Sequence, residues 1–203
     1  MSWAQIPNVI TLIRIVLVVP IGWLLLQNRH LEACGLMTIA GVSDAFDGFL
    51  ARRFNWASKL GAVLDPLADK LLVAVVFLVF TWQGHIPLWI AVIVLGRDFV
   101  ILAGAGVYKA LYEEIDIAPT FLSKANTAMQ LVSLILLMIG LLQVAGLSSI
   151  ALALVDPYCF YILAVLGIAS GVDYVFTWGT KAFRQSKRRR SYESVAARLR
   201  KTE

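Results

Sequence analysis

Charge is scarce in this sequence: only 15% of its 203 residues are Asp, Glu, Lys or Arg, against about a quarter in an ordinary soluble domain. That scarcity excludes a charge-studded, fully solvated surface, and a hydrophobic content of 60% with a mean hydropathy of +0.79 requires lipid rather than a larger core. Cysteine is nearly absent. Cys34 and Cys159 are too few for a disulfide framework, and both fall in apolar runs where a small buried side chain is the expected role. Histidine is as rare: His30 and His85 fall on the side away from the carboxylates, so neither is expected to bind metal. The residues ahead of Arg14 include no basic side chain and no Arg-rich leader, so neither a signal peptide nor a transit peptide is expected.

What is present is a succession of apolar runs. The interval 71–95 carries no charge at all, and a spanning helix needs only about 20 apolar residues. Breaks at charged and turn-forming clusters predict an all-α polytopic membrane protein with about six transmembrane helices, over 7–26, 31–54, 61–82, 86–108, 121–145 and 150–178. Positive-inside counting puts Arg52, Arg53, Lys59, Lys109 and Lys124 on one side with the tail, while Arg29 stands nearly alone on the other. Both termini are then cytoplasmic, which an even number of spans satisfies, and a bacterial inner membrane is the expected home.

The net charge of +5 does not point to nucleic acid, because nine of the eighteen basic residues lie beyond Thr180. The chain divides into a membrane domain over 1–180 and a basic cytoplasmic tail over 181–203. In that tail Tyr192, Val195, Ala196 and Leu199 have the spacing of a short interfacial helix, serving as a topology anchor or as a contact to anionic lipid. Trp56, Trp82, Trp89 and Trp178 fall near predicted span ends and read as interface anchors.

The chemistry is concentrated between Asp44 and Asp69. A single Asp at mid-membrane costs roughly 2.5–3.5 kcal/mol, so four in two adjacent apolar helices need a function. At about 100° per residue, Asp44, Asp47, Gly48, Ala51 and Arg52 share an arc of about 140°, and Gly61, Asp65 and Asp69 share about 80° on the next helix. Four converging carboxylates repel one another unless neutralised, and Mg2+ or Mn2+ is the natural partner for such hard oxygen ligands. Gly48, Ala51 and Gly61 leave room for close approach, and Arg52 offers a fork of donors to a diphosphate, which together imply phosphoryl transfer.

These same positions, Asp44, Asp47-Gly48, Ala51-Arg52, Gly61, Asp65 and Asp69, resemble the signature of the CDP-alcohol phosphatidyltransferase family at every fixed position and spacing. The resemblance implies two metal ions held by Asp44, Asp47, Asp65 and Asp69, with Asp69 also the base that deprotonates the acceptor hydroxyl. It further implies a CDP pocket lined by Gly48, Arg52 and Gly61, CDP-diacylglycerol as donor, a lipid alcohol as acceptor, and a homodimer.

Pro7, Asn8, Thr11 and Arg14 are similar to the family's N-terminal pattern, and Arg14 is read either as a substrate contact or as a structural group, ion-paired or snorkelling to the interface. Arg97-Asp98, adjacent and opposite in charge, is read as a packing pair. The segment 118–130 resembles the corresponding part of CMP-forming cardiolipin synthases. There Asn126, beside Lys124, stands where glycerophosphate-using relatives usually carry a second lysine, which suits the single charge of phosphatidylglycerol better than a phosphomonoester. The alternatives are glycerol 3-phosphate as acceptor, a role for Lys124 only as an edge-of-membrane cation, a membrane prenyltransferase, or, in another class, a cation channel or carrier.

Overall fold

Long apolar runs with few turn residues fold as helices because lipid offers the backbone no alternative partner. The computed structural model describes residues 6–54, 61–111, 120–144 and 146–177; within them, the side chains at 6–9, 45, 47–52, 54, 61–66, 105 and 107–111 are outside the described set. The described residues form six helices and contain no strand: α1 (Ile6–Leu26), α2 (His30–Phe54), α3 (Gly61–Trp82), α4 (Leu88–Leu111), α5 (Phe121–Leu141) and α6 (Leu147–Thr177). The basic tail, Trp56, Trp178 and Lys59 lie outside the described residues.

Local chemistry sets the ends. Between α1 and α2, Asn28 takes a left-handed conformation, φ 59°, and its amide nitrogen bonds the Leu25 carbonyl at 2.9 Å. Pro87 shifts the start of α4 to Leu88, two residues past the expected edge, because it supplies no N–H for a preceding turn. Thr120 caps α5, its hydroxyl accepting from the Ser123 amide at 3.3 Å. At the other end α5 stops at Leu141, short of the predicted 145, where Gln143 and Gly146 both have positive φ.

The last helix is interrupted. Its first segment, Leu147–Leu154, runs into a π-helical turn at Val155–Cys159 in which Asp156 leaves helical geometry, φ −113° and ψ 115°. Pro157 is the cause: it removes a backbone donor and its ring clashes with the preceding turn.

Helix α1 packs against both α2 and α3, α3 continues to α4, α5 packs on α6, and α2 touches α5. The apolar core gathers Ile21 and Leu25 of α1, Val76, Phe77 and Phe80 of α3, Ile90 and Val94 of α4, Leu134 and Leu137 of α5, and Leu163 of α6. Gly167 lets α6 close on α4, since a Cβ there would stand 2.9 Å from Ile93 Cγ2. Around this core the ordinary distribution is inverted. Arg14, Arg97, Asp98, Asn126 and Gln130 are buried, whereas Val19, Phe46, Leu78, Phe99, Ile135 and Val165 are exposed.

By length and composition, Phe121–Leu141 and Leu147–Thr177 are apolar enough to cross a membrane. Helices α2, α3 and α4 carry ionisable residues within their lengths, among them Asp44, Asp69, Lys70, Arg97 and Asp98. Cys34 and Cys159 are free thiols; Cys159 is buried as expected, whereas Cys34 is only half-buried.

Candidate active site

The two acidic helices meet through a residue of the first helix. Arg14 on α1 is 3% exposed and places its two terminal nitrogens on different helices: Nη1 donates to Asp69 Oδ1 of α3 at 2.6 Å, and Nη2 donates to Asp44 Oδ1 of α2. This follows from α1 lying against both α2 and α3. Asp44 and Asp69 therefore face one common point, and at 42% and 57% side-chain exposure both remain accessible. Of the two readings of Arg14, the ion pair is the one seen in the structure. Asp47, Gly48, Arg52, Gly61 and Asp65 lie on the same two helices, but their side chains are outside the described residues.

Oxygen-only donors, partly exposed and already gathered around one cationic group, fit a hard divalent cation. Asp44 and Asp69 meet that test, since a guanidinium occupies the place between them that a cation's charge would neutralise.

A second polar cluster is built across α3, α4, α5 and α6. Asp98 accepts from Arg97 Nη1 at 2.5 Å, from Lys70 Nζ at 2.8 Å and, at the long distance of 3.4 Å, from Gln130 Nε2. Arg97 also donates to Ser170 Oγ from Nη2 at 2.7 Å and to Ser123 Oγ at 2.6 Å. The packing role expected of Arg97-Asp98 is thus present, widened by Lys70 and Ser170, which the sequence reading did not single out. Lys70 had a signal, being an ionisable residue in an apolar helix that must find a partner.

Lys124 and Asn126 are not brought together. Two residues apart on a helix means about 200° of rotation, and accordingly Lys124 is exposed while Asn126 is fully buried. Both amide atoms of Asn126, and Oε1 of Gln130 one turn later, find no hydrogen-bond partner among the described residues. His30 and His85 flank Phe80, with ring centroids 6.4 and 6.0 Å from it, at the end of α3 opposite Asp69.

Apolar space adjoins the acidic site. A cavity of about 370 Å³ lies between α2, α3 and α5, lined by residues such as Thr38, Gly41, Leu72, Val76 and Ile135. Gly41 precedes Asp44 by one turn and Leu72 follows Asp69 by one, so the cavity begins where the carboxylates end.

Comparison with known proteins decides the family. The model of the CDP-alcohol phosphatidyltransferase family matches residues 4–173, which contain all six helices up to the last turn of α6. The chain belongs to the CDP-alcohol phosphatidyltransferase family. Its relatives include CMP-forming cardiolipin synthases of Rattus norvegicus, 35% identical over 145 residues, and Homo sapiens, 34% identical over 145 residues. Each alignment covers 63% of this chain, and the chain spans about half the length of those relatives, 47% and 48%. A CDP-diacylglycerol–glycerol-3-phosphate 3-phosphatidyltransferase of Shigella flexneri is 31% identical over 182 residues, covering 84% of this chain and 93% of the relative. Members of the family are transferases, and a channel or carrier finds no support among these relatives. Relatives with both acceptors occur, which leaves the acceptor to chemical argument.

Proposed function

We propose that this chain transfers a phosphatidyl group from CDP-diacylglycerol to an alcohol with release of CMP, and that phosphatidylglycerol is the acceptor. The observation that carries the reading is the convergence of Asp44 and Asp69, from separate helices, on one point beside an apolar cavity of about 370 Å³. A substrate with a diphosphate and two acyl chains needs both features in one place.

In this reading Asp44, Asp47, Asp65 and Asp69 hold two divalent cations, Mg2+ or Mn2+. When bound, these polarise the phosphoryl oxygens and stabilise the departing CMP. The chain's own groups do the rest. Arg52, Gly48 and Gly61 receive the CDP moiety, the cavity between α2, α3 and α5 receives an acyl chain, and Asp69 takes the proton of the acceptor hydroxyl. The hydroxyl oxygen bonds to the phosphorus that carries diacylglycerol, the bond from that phosphorus to the CMP oxygen breaks, and CMP leaves with the electron pair.

All six helices span the bilayer in this reading, in a bacterial inner membrane, with both termini cytoplasmic. Trp23, Trp82 and Trp89 support the arrangement: all three are exposed and lie near the helix ends opposite the aspartates, and Tyr161 of α6 meets them there, its ring 6.2 Å from that of Trp89. The 31 residues of α6 would extend about 46 Å, more than the roughly 30 Å hydrocarbon core. The turn at Val155–Cys159 therefore marks the outer interface, with the span following it. The homodimer implied by the family belongs to the same proposal.

Phosphatidylglycerol as acceptor rests on Asn126 in place of a second lysine. Given CDP-diacylglycerol and either phosphatidylglycerol or glycerol 3-phosphate, the purified protein is expected to form a new lipid on thin-layer analysis only with the former. Product only with glycerol 3-phosphate would overturn the choice. Asn126→Leu offers a finer check. Removing a buried amide without partners among the described residues is expected to stabilise the fold by about 1–3 kcal/mol, and the same variant should show a raised KM for the acceptor. Added stability with an unchanged KM would remove Asn126 from acceptor recognition.

A further inference from the structure

Arg14 is held in a way that a permanent structural ion pair does not need. Its guanidinium spans two carboxylates on two helices, yet its Nε is buried and has no partner among the described residues. The same side chain lines a cavity of about 320 Å³ between α1 and α2, otherwise formed by residues such as Ile13, Leu17, Ala40, Ser43 and Phe46. One donor atom is thus in place for an acceptor that the described residues do not provide, and there is room beside Arg14 for its terminal group to move.

We propose that Arg14 is a built-in counter-ion: it bridges Asp44 and Asp69 while no divalent cation is bound, and it gives them up to the cation. Once released it donates to a phosphate oxygen of the bound nucleotide diphosphate. This rests on the reading of Asp44 and Asp69 as cation ligands. The physical basis is charge. Converging carboxylates in a low-dielectric setting need a cation at every stage, and one guanidinium carries half the charge of a divalent ion. Arg14 keeps α2 and α3 from repelling each other before loading, and a cation must displace it to bind. In the loaded site the freed fork faces the anionic ligand, where it adds charge-assisted hydrogen bonds.

The signature is a pair of opposite effects from one substitution. In Arg14→Gln, Mn2+ followed by electron paramagnetic resonance should bind about tenfold more tightly, because a bridged population no longer has to be opened. CDP added to the Mn2+-loaded protein should bind about tenfold more weakly, through loss of its donor. Arg14→Lys, which keeps the charge but cannot fork across two carboxylates, should shift both affinities in the same directions by less, and it covers the case in which the Gln variant does not fold. Equal Mn2+ affinity in wild type and both variants would overturn the counter-ion role while leaving the cation site intact. A wild-type protein that binds no Mn2+ would overturn the cation site itself.

Discussion

Asp69→Asn is expected to lower CMP release from CDP-diacylglycerol by about 10²- to 10⁴-fold, the range associated with loss of a positioned general base. The substitution is nearly isosteric, and the amide oxygen can still accept from Arg14 Nη1, so the packing of α1 on α3 is retained. What the amide cannot do is take a proton. Binding of the CDP-lipid, measured by competition with CDP, should therefore stay within a few-fold of wild type while kcat collapses. Because Asp69 also belongs to the proposed cation-ligand set, the assay is run over a range of Mn2+. The part of the loss that recovers at high Mn2+ reports ligation, and the part that does not reports the base. Rates near wild type would take Asp69 out of both roles.

The largest effect on stability is expected from Asp98→Ala. Asp98 sits between Arg97 and Lys70, at 2.5 and 2.8 Å, and it accepts from Gln130 as well. Removing it leaves one almost fully buried cation and one largely buried cation without their anion, a defect worth about 3–5 kcal/mol. Arg97→Met should cost less, since Asp98 keeps Lys70 while Ser123 and Ser170 lose a donor. Lys70→Met should cost least, because Lys70 is 25% exposed, so part of its solvation survives in the native state. Unfolding midpoints in one detergent give the order directly. The cluster joins α3, α4, α5 and α6, so a flat series would mean that these helices are held by apolar packing alone.

The readable part of this fold was its hydrophobic segmentation. Six apolar runs give the observed helices to within a few residues, and three of the breaks, at Asn28-Arg29, Gly84-His85 and Gly146, are left-handed or proline-bound turns that interrupt otherwise continuous patterns. Pro157 lies inside a long apolar run, and only the structure places a π turn around it. Helical rotation was also sufficient, in principle, to separate Lys124 from Asn126, which the sequence reading paired by chemistry without testing the angle.

The site divides along a different line. Spacing puts Asp44 and Asp69 on one face of each helix, as local periodicity can. What periodicity cannot give is the neighbour across the gap. Arg14 is 30 residues from Asp44 and 55 from Asp69, and their meeting depends on α1 lying against both α2 and α3. The same holds for Lys70 and Asp98, 28 residues apart, and for Arg97 and Ser170, 73 apart. Each is an ionisable or polar group whose need for a partner was evident from burial, and whose partner was set by packing.

The most direct test of the account is CMP release by the purified chain, supplied with CDP-diacylglycerol and phosphatidylglycerol, before and after chelation of divalent cations. Release that stops with EDTA and returns with Mg2+ or Mn2+, in wild type but not in Asp44→Asn, is the predicted result. Release that continues unchanged in EDTA, or no release with any acceptor alcohol, would contradict it.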